Sequence, residues 1–315
     1  MTVQPRPARM TSFIREVNAQ SDLQIEPSLL LASEPWVARG FANSWPSVKR
    51  SQISDKDFLS YLGSCYRGAP ITAIVAEAQH KGRYFYNEDL TGFNFYPLKT
   101  SLDKFIAQLI ALKAQADAPS VYVGSTAIDP LLPTLNDHKA LAGVLPNATT
   151  SLWLGNRSRI AAHFDFPRNI ACCVSGRRRF TLFPPDQVAN LYIGPWDITP
   201  AGQPISLVDL HSPDFSRFPN FQQALDTMVT VDLEPGDALY IPSFWWHHVE
   251  GLSPINGLIN FWWHETGSKT ASTIDLLKSN AGVIHALPPA QRQAMKAFYD
   301  HYVFSDETDP EYLPK

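Results

Sequence analysis

The chain has 315 residues, of which 44% are hydrophobic and 18% are charged, and its formal net charge at pH 7 is -4. This balance excludes an intrinsically disordered protein, and the length allows one large domain with extensions or two small domains. The small negative charge excludes a general electrostatic attraction to nucleic acid or to anionic membranes.

The first part of the chain mixes helix and strand signals. Residues 102–116 carry apolar side chains at the spacing of an amphipathic helix, and short strand-like segments lie at 35–41, 71–76 and 82–86. We therefore predict that residues 1–118 form an α/β extension that packs on the main domain.

From residue 120 the apolar pattern changes to that of short strands separated by turn signals. This organisation is typical of a β-sandwich or barrel, so we predict a mainly β fold with flanking helices and a core at residues 119–268. Residues 184–228 are rich in Pro, Gly and Asp. We interpret them as an insertion between two core strands, on the side of the functional site. The predicted core strands lie at 120–124, 151–155, 169–174, 178–183, 229–233, 238–242 and 257–263.

Residues 269–315 return to a helical pattern. A helical segment that follows a barrel must bury its apolar face, either on its own barrel or on a second subunit. We predict the second arrangement, a homodimer formed through these C-terminal helices.

Cysteine content and hydropathy predict the compartment. The chain contains three cysteines, Cys65, Cys172 and Cys173, and their number and spacing fit neither a disulfide framework nor a zinc ribbon. We interpret them as buried thiols in a reducing compartment. No apolar run reaches the about 18 residues of a transmembrane helix, and the N-terminus lacks the apolar region of a secretory signal. These observations predict a cytoplasmic protein without membrane contact.

A His-x-Asp pattern at residues 163–165 carries the main functional hypothesis. Residues i and i+2 of an extended strand point to the same face, so His163 and Asp165 can reach one metal ion together. Two histidines and one carboxylate form the facial triad that holds iron(II) and leaves other positions open. A bare His-x-Asp pattern also occurs at surfaces, so the hypothesis depends on its context.

The third metal ligand has to come from a distant strand that lies alongside in space. His247 and His248 follow a strand-like, tryptophan-rich run that begins after a turn signal at 234–237. Neighbouring residues of a strand point to opposite faces, so only one of the two histidines can face the interior. We predict that this residue is His248, and that His163, Asp165 and His248 are both the metal ligands and the catalytic residues.

A co-substrate such as 2-oxoglutarate needs a cation for its distal carboxylate. Strand alternation places Arg178 on the same face as Phe180 and Leu182. A guanidinium binds a carboxylate in bidentate fashion. Arg178 is therefore either a buried carboxylate clamp or part of a solvated basic hairpin.

Several other polar and aromatic residues lie on the predicted strands. Asn169 follows the ligand pair, and Tyr122 and Trp262 lie on separate strands. Asn260 interrupts an apolar run, and a buried amide needs hydrogen-bond partners. Asn260 either orients a ligand or is a satisfied core asparagine.

These residues belong to longer motifs that together resemble the cupin-like JmjC family. The resemblance is to the branch that contains the asparaginyl hydroxylase inhibiting the hypoxia-inducible factor, and to its bacterial relatives. It runs from about Tyr122 to Trp263, with further similarity at 35–40 and 84–95. The motifs are His163-x-Asp165 with Asn169, residues 183–187, residues 213–222, Pro235-Gly236-Asp237, residues 241–248 and Asn260-Phe261-Trp262.

The resemblance implies a double-stranded β-helix of the jelly-roll or cupin type, iron(II), 2-oxoglutarate as co-substrate, and hydroxylation. It also implies that His248 binds the metal. The co-substrate-binding residues that we predict are Arg178, Tyr122, Asn169, Asn260 and Trp262.

Three departures from the family pattern bear on specificity. Arg178 stands where the family usually has a carboxylate-binding lysine, and Ile160 stands where a threonine often assists it. Pro204 and Ile205 occupy the stretch that supplies an Arg-Gln pair for the target asparagine in the hydroxylase. Asparaginyl specificity is therefore not carried over.

We predict an iron(II)- and 2-oxoglutarate-dependent oxygenase that hydroxylates a protein side chain or a small molecule. One alternative is a cupin-type metal enzyme that does not use 2-oxoglutarate, in which Arg178 binds the anionic group of the substrate. Another is a non-catalytic barrel that binds a metal or ligand as a sensor or scaffold. A nucleic-acid partner is the least favoured, because the chain has no basic stripe.

Overall fold

The structure is a computed structural model that describes residues 13–18, 25–137, 139–145, 147–264 and 270–305. The chain divides into two compact units, residues 1–264 and 265–315. In the described part of the first unit the strands are β1 (Arg15–Glu16), β2 (Trp36–Ala38), β3 (Pro70–Ala76), β4 (Arg83–Tyr84), β5 (Phe95–Ser101), β6 (Ser120–Ala127), β7 (Thr149–Gly155), β8 (Ser158–His163), β9 (Arg168–Ser175), β10 (Arg178–Phe183), β11 (Val229–Leu233), β12 (Ala238–Ile241), β13 (Trp246–Gly251) and β14 (Asn256–Trp263).

The helices of the first unit are mostly short and precede or interrupt the strands. They are α1 (Pro27–Leu30), α2 (Pro46–Ile53), α3 (Asp55–Cys65), α4 (Leu102–Leu112), α5 (Ile128–Leu131), α6 (Lys139–Val144) and α7 (Phe221–Thr227). The second unit contains α8 (Thr270–His285) and α9 (Pro289–Tyr302).

The strands form two sheets. The major sheet has nine strands in the order β1-β2-β12-β9-β14-β7-β6-β3-β5, and the minor sheet has five in the order β11-β10-β13-β8-β4. The N-terminal region contributes to the major sheet, because β2 pairs with β12 and β3 pairs with β6. The prediction of a mainly β fold with flanking helices is confirmed.

The core between the sheets follows from strand alternation. Residues at every second position of the paired strands are buried in one apolar cluster, and the intervening positions face outward. The buried positions include Ala171, Cys173, Leu239 and Leu258 of the major sheet, and Phe180, Leu182, Val231 and Val249 of the minor sheet.

Helices cover the other face of the major sheet. Phe58 of α3 and Phe105 of α4 are fully buried in a second apolar cluster with Cys172 and Ile259 of the sheet. Because Cys172 and Cys173 are adjacent in β9, their side chains lie in different apolar clusters. Both are buried, as is Cys65, which agrees with the expectation of buried cysteines.

The chain crosses from the major to the minor sheet between β12 and β13. Phe244 lies in this crossing and has a left-handed backbone conformation, with φ at 65°. Its backbone N–H donates a hydrogen bond to the Asp165 carbonyl oxygen at 2.9 Å. The tryptophan-rich run that leads to the two histidines is therefore divided between β12 of the major sheet and β13 of the minor sheet. The hydrogen bond from Phe244 joins the crossing between them to the His-x-Asp segment.

The predicted insertion lies between β10 and β11. It contains α7 and a short 3-10 helix at Pro185–Ala189. Its Ser206 N–H donates to the Ala162 carbonyl oxygen of β8 at 2.8 Å. Together with Ala162 and His248, residues of the insertion enclose a small cavity. The insertion therefore contacts the outward face of the minor sheet.

The C-terminal unit presents apolar side chains at its surface. Leu276 and Val283 of α8 and Phe298 of α9 are exposed. Such side chains fit the predicted homodimer, which stays a prediction. None of the helices among the described residues is long and apolar enough to span a membrane.

A close backbone approach at Gly155 generates a first prediction. An added Cβ at Gly155 would lie 2.6 Å from the Val121 carbonyl oxygen and 2.6 Å from Tyr122 Cβ. Both atoms belong to β6, which is paired with β7 and cannot move aside freely. We expect Gly155→Ala to lower the free energy of unfolding by about 1–3 kcal/mol, measured by chemical denaturation.

Gly143→Ala is the matched control for this substitution. Gly143 lies in α6, and no atom lies within 4 Å of an added Cβ there. Alanine also has the higher helix propensity, so stability should be unchanged or higher by up to about 1 kcal/mol. Unchanged stability of Gly155→Ala would contradict the close approach between β6 and β7.

Candidate metal and co-substrate site

Three side chains of the inner face of the minor sheet converge at one point. His163 ends β8, Asp165 follows it, and His247 lies in β13 directly opposite His163. Their ligand atoms all lie within 4.8 Å of one another. The two imidazole rings have centroids 4.3 Å apart, and His247 Nε2 lies 3.5 Å from Asp165 Oδ2.

Backbone carbonyl groups orient both imidazoles. The Nδ1 atom of His163 lies 2.9 Å from the Ala161 carbonyl oxygen, and Nδ1 of His247 lies 3.0 Å from the Trp245 carbonyl oxygen. A carbonyl oxygen only accepts hydrogen bonds, so each Nδ1 carries the hydrogen and donates it. Each Nε2 then keeps its lone pair for a metal, in the arrangement that metal-binding histidines usually show.

Burial and neighbouring charges shift the pKa values of His163 and Asp165. Burial lowers the pKa of His163 to about 4, and the neighbouring His247 adds to this effect. Burial alone would raise the pKa of Asp165, but its hydrogen bond and charge interactions with His247, together with the charge of His163, bring that pKa below its usual value. At neutral pH the site therefore offers a neutral His163 imidazole and a carboxylate, which are the forms that coordinate cations.

The structure corrects the choice of the third ligand. His248 was predicted to join His163 and Asp165, but it lies on the opposite face of β13 and forms a separate group with His211 and Glu250. The reason is strand alternation. His247 pairs with Leu182, whose side chain is in the inter-sheet core, whereas His248 pairs with Thr181.

A signal for the correct histidine is present in the sequence. Val249 shares the strand face of His247, and Glu250 shares that of His248. An apolar residue at i+2 favours the inward face, and a charged residue favours the outward face. Val249 is indeed part of the inter-sheet core. His247 is therefore the residue that the sequence reasoning missed.

Arg178 is partly buried, and the described residues place no countercharge beside it. Its Nε atom is buried and has no hydrogen-bond partner among them. Burial lowers the pKa of the guanidinium, and the neighbouring thiol of Cys173 opposes this effect. Among the described residues no carboxylate lies within ion-pair distance of Arg178, whereas Arg177 and Arg179 both pair with Asp232. The solvated-hairpin alternative therefore describes its neighbours and not Arg178.

Three of the predicted co-substrate residues are linked through Trp153. The Trp153 indole N–H donates to Asn260 Oδ1 at 2.8 Å, and Asn260 Nδ2 donates to Asn169 Oδ1 at 3.3 Å. The Tyr122 ring stacks on Trp153 with centroids 6.4 Å apart. Sequence reasoning did not find Trp153, whose contact with Asn260 is made across the pair of β7 and β14 and is visible only in space.

Trp262 completes this group. It pairs with Asn169 across β14 and β9, and its ring meets Trp153 edge to face with centroids 6.0 Å apart. Its indole Nε1 is buried and has no hydrogen-bond partner. A buried donor without a partner is uncommon in a folded protein, and both Trp262 Nε1 and Arg178 Nε are donors of this kind.

The donor set fits the expected metal and co-substrate. One carboxylate and two imidazoles, the latter oriented by backbone carbonyls, match the triad that binds iron(II) with positions left open. The enclosed cation at Arg178 fits an anionic group such as the distal carboxylate of 2-oxoglutarate. The residues present therefore fit both groups, with His247 in place of His248.

Two of the residues that depart from the family pattern, Ile160 and Ile205, pack against apolar clusters. Ile160 pairs with Val249 and packs against the inter-sheet core, where a threonine would assist the carboxylate-binding residue. Ile205 is buried with Tyr86 and Ala161 in a separate apolar cluster. An apolar Ile205 cannot bind a primary amide as a polar pair would.

Comparison with known proteins gives local similarity to JmjC proteins. The chain is 38% identical over 115 residues to HSPB1-associated protein 1 of Rattus norvegicus, covering 35% of this chain and 23% of that protein. It is 32% identical over 119 residues to Lysine-specific demethylase JMJ31 of Arabidopsis thaliana, covering 38% of this chain and 20% of that protein. It is 33% identical over 144 residues to JmjC domain-containing protein C of Dictyostelium discoideum, covering 42% of this chain and 31% of that protein.

The matched segments thus span less than a third of the length of these relatives. The sequence model of the cupin-like domain family matches much more of this chain, residues 22–269. That range contains every strand of both sheets except β1, and it contains all the site residues described above. The chain belongs to the cupin-like family of JmjC type, whose fold is the predicted jelly-roll barrel.

Proposed function

We propose that this protein is an iron(II)- and 2-oxoglutarate-dependent oxygenase that hydroxylates a protein side chain or a small molecule. Its family consists typically of such oxygenases. The observation that carries the proposal is the partly buried Arg178 side chain, whose Nε is buried and which has no carboxylate partner among the described residues. A charge held away from water without a partner is costly, and an anionic co-substrate bound there would reduce that cost.

The residues of the chain have separate roles in this proposal. His163, Asp165 and His247 would hold iron(II), and the carbonyl groups of Ala161 and Trp245 keep the imidazoles turned toward it. Arg178 would bind the distal carboxylate of 2-oxoglutarate. With both groups bound, the site would supply oxygen activation coupled to oxidative decarboxylation, which is chemistry of the cofactors rather than of side chains.

The hydrogen-bonded residues around Trp153 would keep the co-substrate pocket in shape. Asn260 is 1% exposed. The oxygen of its side-chain amide accepts a hydrogen bond from Trp153, and the nitrogen donates one to Asn169. Burial raises the pKa of Tyr122 to about 12, so its hydroxyl stays protonated and able to donate. These residues therefore position donors and exclude water, and no proton transfer is assigned to them.

The two adjacent histidines yield a direct prediction. His247→Ala should weaken iron(II) binding by more than about 100-fold, because loss of a ligand exceeds the about 10- to 100-fold effect of losing an outer-shell partner. His248→Ala should leave binding at this site within a few-fold of wild type. Anaerobic titration of iron(II) with 2-oxoglutarate, followed by the visible charge-transfer band, measures both.

Circular dichroism controls for folding of the two variants. If His248→Ala abolishes the band in a folded protein while His247→Ala keeps it, the assignment of His247 is wrong.

Arg178 provides a second prediction. Arg178→Ala should weaken 2-oxoglutarate binding by about 2–3 kcal/mol, or about 30- to 140-fold, through loss of a charge-assisted hydrogen bond. Arg178→Lys should recover most of this binding, because it keeps the cation. Arg179→Ala is the matched control, since this residue lies on the opposite face of β10 in an exposed ion pair with Asp232.

Succinate formation tests the reaction class. The iron-loaded protein is supplied with 2-oxoglutarate and oxygen, with ascorbate as reductant, and succinate is measured by NMR with and without candidate substrates. The proposal expects slow succinate formation that is lost in His247→Ala. If the folded, iron-loaded wild-type protein shows neither the charge-transfer band nor succinate formation, the result favours an enzyme in which Arg178 binds the substrate itself.

A further inference from the structure

A second group of two histidines and one carboxylate lies on the outward face of β13. It consists of His211, His248 and Glu250, whose ligand atoms all lie within 4.8 Å of one another. His248 and Glu250 are two residues apart in β13 and so share one face, opposite to that of His247. His211 comes from the insertion between β10 and β11. The two triads therefore lie on opposite sides of one strand.

Glu250 lies between the two imidazoles. Its Oε1 is 2.6 Å from His211 Nε2, and its Oε2 is 3.9 Å from His248 Nε2. Metal bonds of about 2.0–2.2 Å place two donor atoms of a tetrahedral ion about 3.3–3.6 Å apart. The separations of Glu250 from the two imidazoles bracket this range, and all three donors lie within 4.8 Å of one another, so side-chain adjustments can bring them to one ion.

His248 is the independent sign that a ligand belongs here. Its side chain is buried, with the residue 6% exposed, and its Nε2 has no hydrogen-bond partner in the described part of the chain although it faces the Glu250 carboxylate. A separation of 3.9 Å is too long for a hydrogen bond. Buried polar atoms are almost always satisfied, so this atom lacks a partner that the site is built to accept.

The surrounding charges permit a cation. Arg159 and Arg83 are the nearby positive groups, and both lie against Asp209, at 3.7 and 3.5 Å. This carboxylate offsets their charge, and Glu250 remains to balance the ion. Asp209 belongs to the same insertion as His211, so the insertion supplies both an imidazole and a carboxylate to this face.

We propose that His211, His248 and Glu250 bind a divalent transition-metal ion of the Zn²⁺ class. Imidazole nitrogen and carboxylate oxygen are ligands that Zn²⁺ commonly takes, and three protein donors leave a position for water. Because His211 belongs to the insertion and the other two ligands belong to β13, the ion ties the insertion to the minor sheet. This outer site does not depend on the oxygenase proposal.

Zn²⁺ stoichiometry tests the outer site. Full-length protein freed of metal by chelation is titrated with Zn²⁺ alone, and bound zinc is counted by mass spectrometry after removal of free ion. Wild type should bind two equivalents, one in each triad, and His211→Ala should bind one. His247→Ala should also bind one, and the double variant should bind none.

The single variant His247→Ala isolates the outer site, because its inner triad is broken. In this background Zn²⁺ should slow limited proteolysis of residues 184–228, and the protection should disappear in the double variant. His285→Ala is the matched control, since it removes an exposed histidine from α8 and should leave the count at two.

The proposal is overturned if His247→Ala binds no zinc, or if folded His211→Ala binds as much zinc as wild type. His211 is exposed, with a side-chain exposure of 47%, so its replacement should leave the fold intact. Glu250→Gln gives a second variant that keeps side-chain volume and should also lower the count by one. If only the inner site fails to bind zinc, the wild-type protein should bind one equivalent, and His247→Ala should still bind that equivalent.

Discussion

The alternation of side chains along β13 is the constraint on which both triads depend. His247 and His248 are chemically identical neighbours, but the pleat sends one into the space between the sheets and the other to the outward face. Pairing with β8 and β10 makes this assignment rigid, because a slip by one residue would move Val249 out of the core and Glu250 into it. The register of β13 therefore determines where each imidazole can bind an ion.

The same pairing sets the inner site at the junction of the sheets. The crossing between β12 and β13 donates a backbone hydrogen bond to Asp165, which ties the segment after β8 to the segment before β13. Carbonyl groups then turn the two imidazoles toward that carboxylate. The two imidazoles and the segment that carries Asp165 are thus held by main-chain hydrogen bonds.

Charge distribution in β10 separates Arg178 from its two arginine neighbours. Arg179 forms a partly exposed pair with Asp232, of a kind that contributes little to stability. Arg178, one position earlier, has a buried Nε without a partner. A folded protein tolerates this when a ligand supplies the missing charge, and the hydrogen-bonded group of Trp153, Asn260 and Asn169 lies in the same barrel.

The amino-acid sequence by itself determined the fold class, the His-x-Asp pair, the position of Arg178 on the apolar face of its strand and the family. These follow from local periodicity and from motifs, which the chain carries in short segments. The structure brings His247 rather than the predicted His248 beside His163 and Asp165, in line with the parity signal of Val249 and Glu250. The partner of Asn260, the isolation of Arg178 from carboxylates and the approach of His211 to Glu250 were decided only by the tertiary structure. Each joins residues far apart in sequence, and sheet pairing and the path of the insertion, rather than local pattern, bring them within bonding distance.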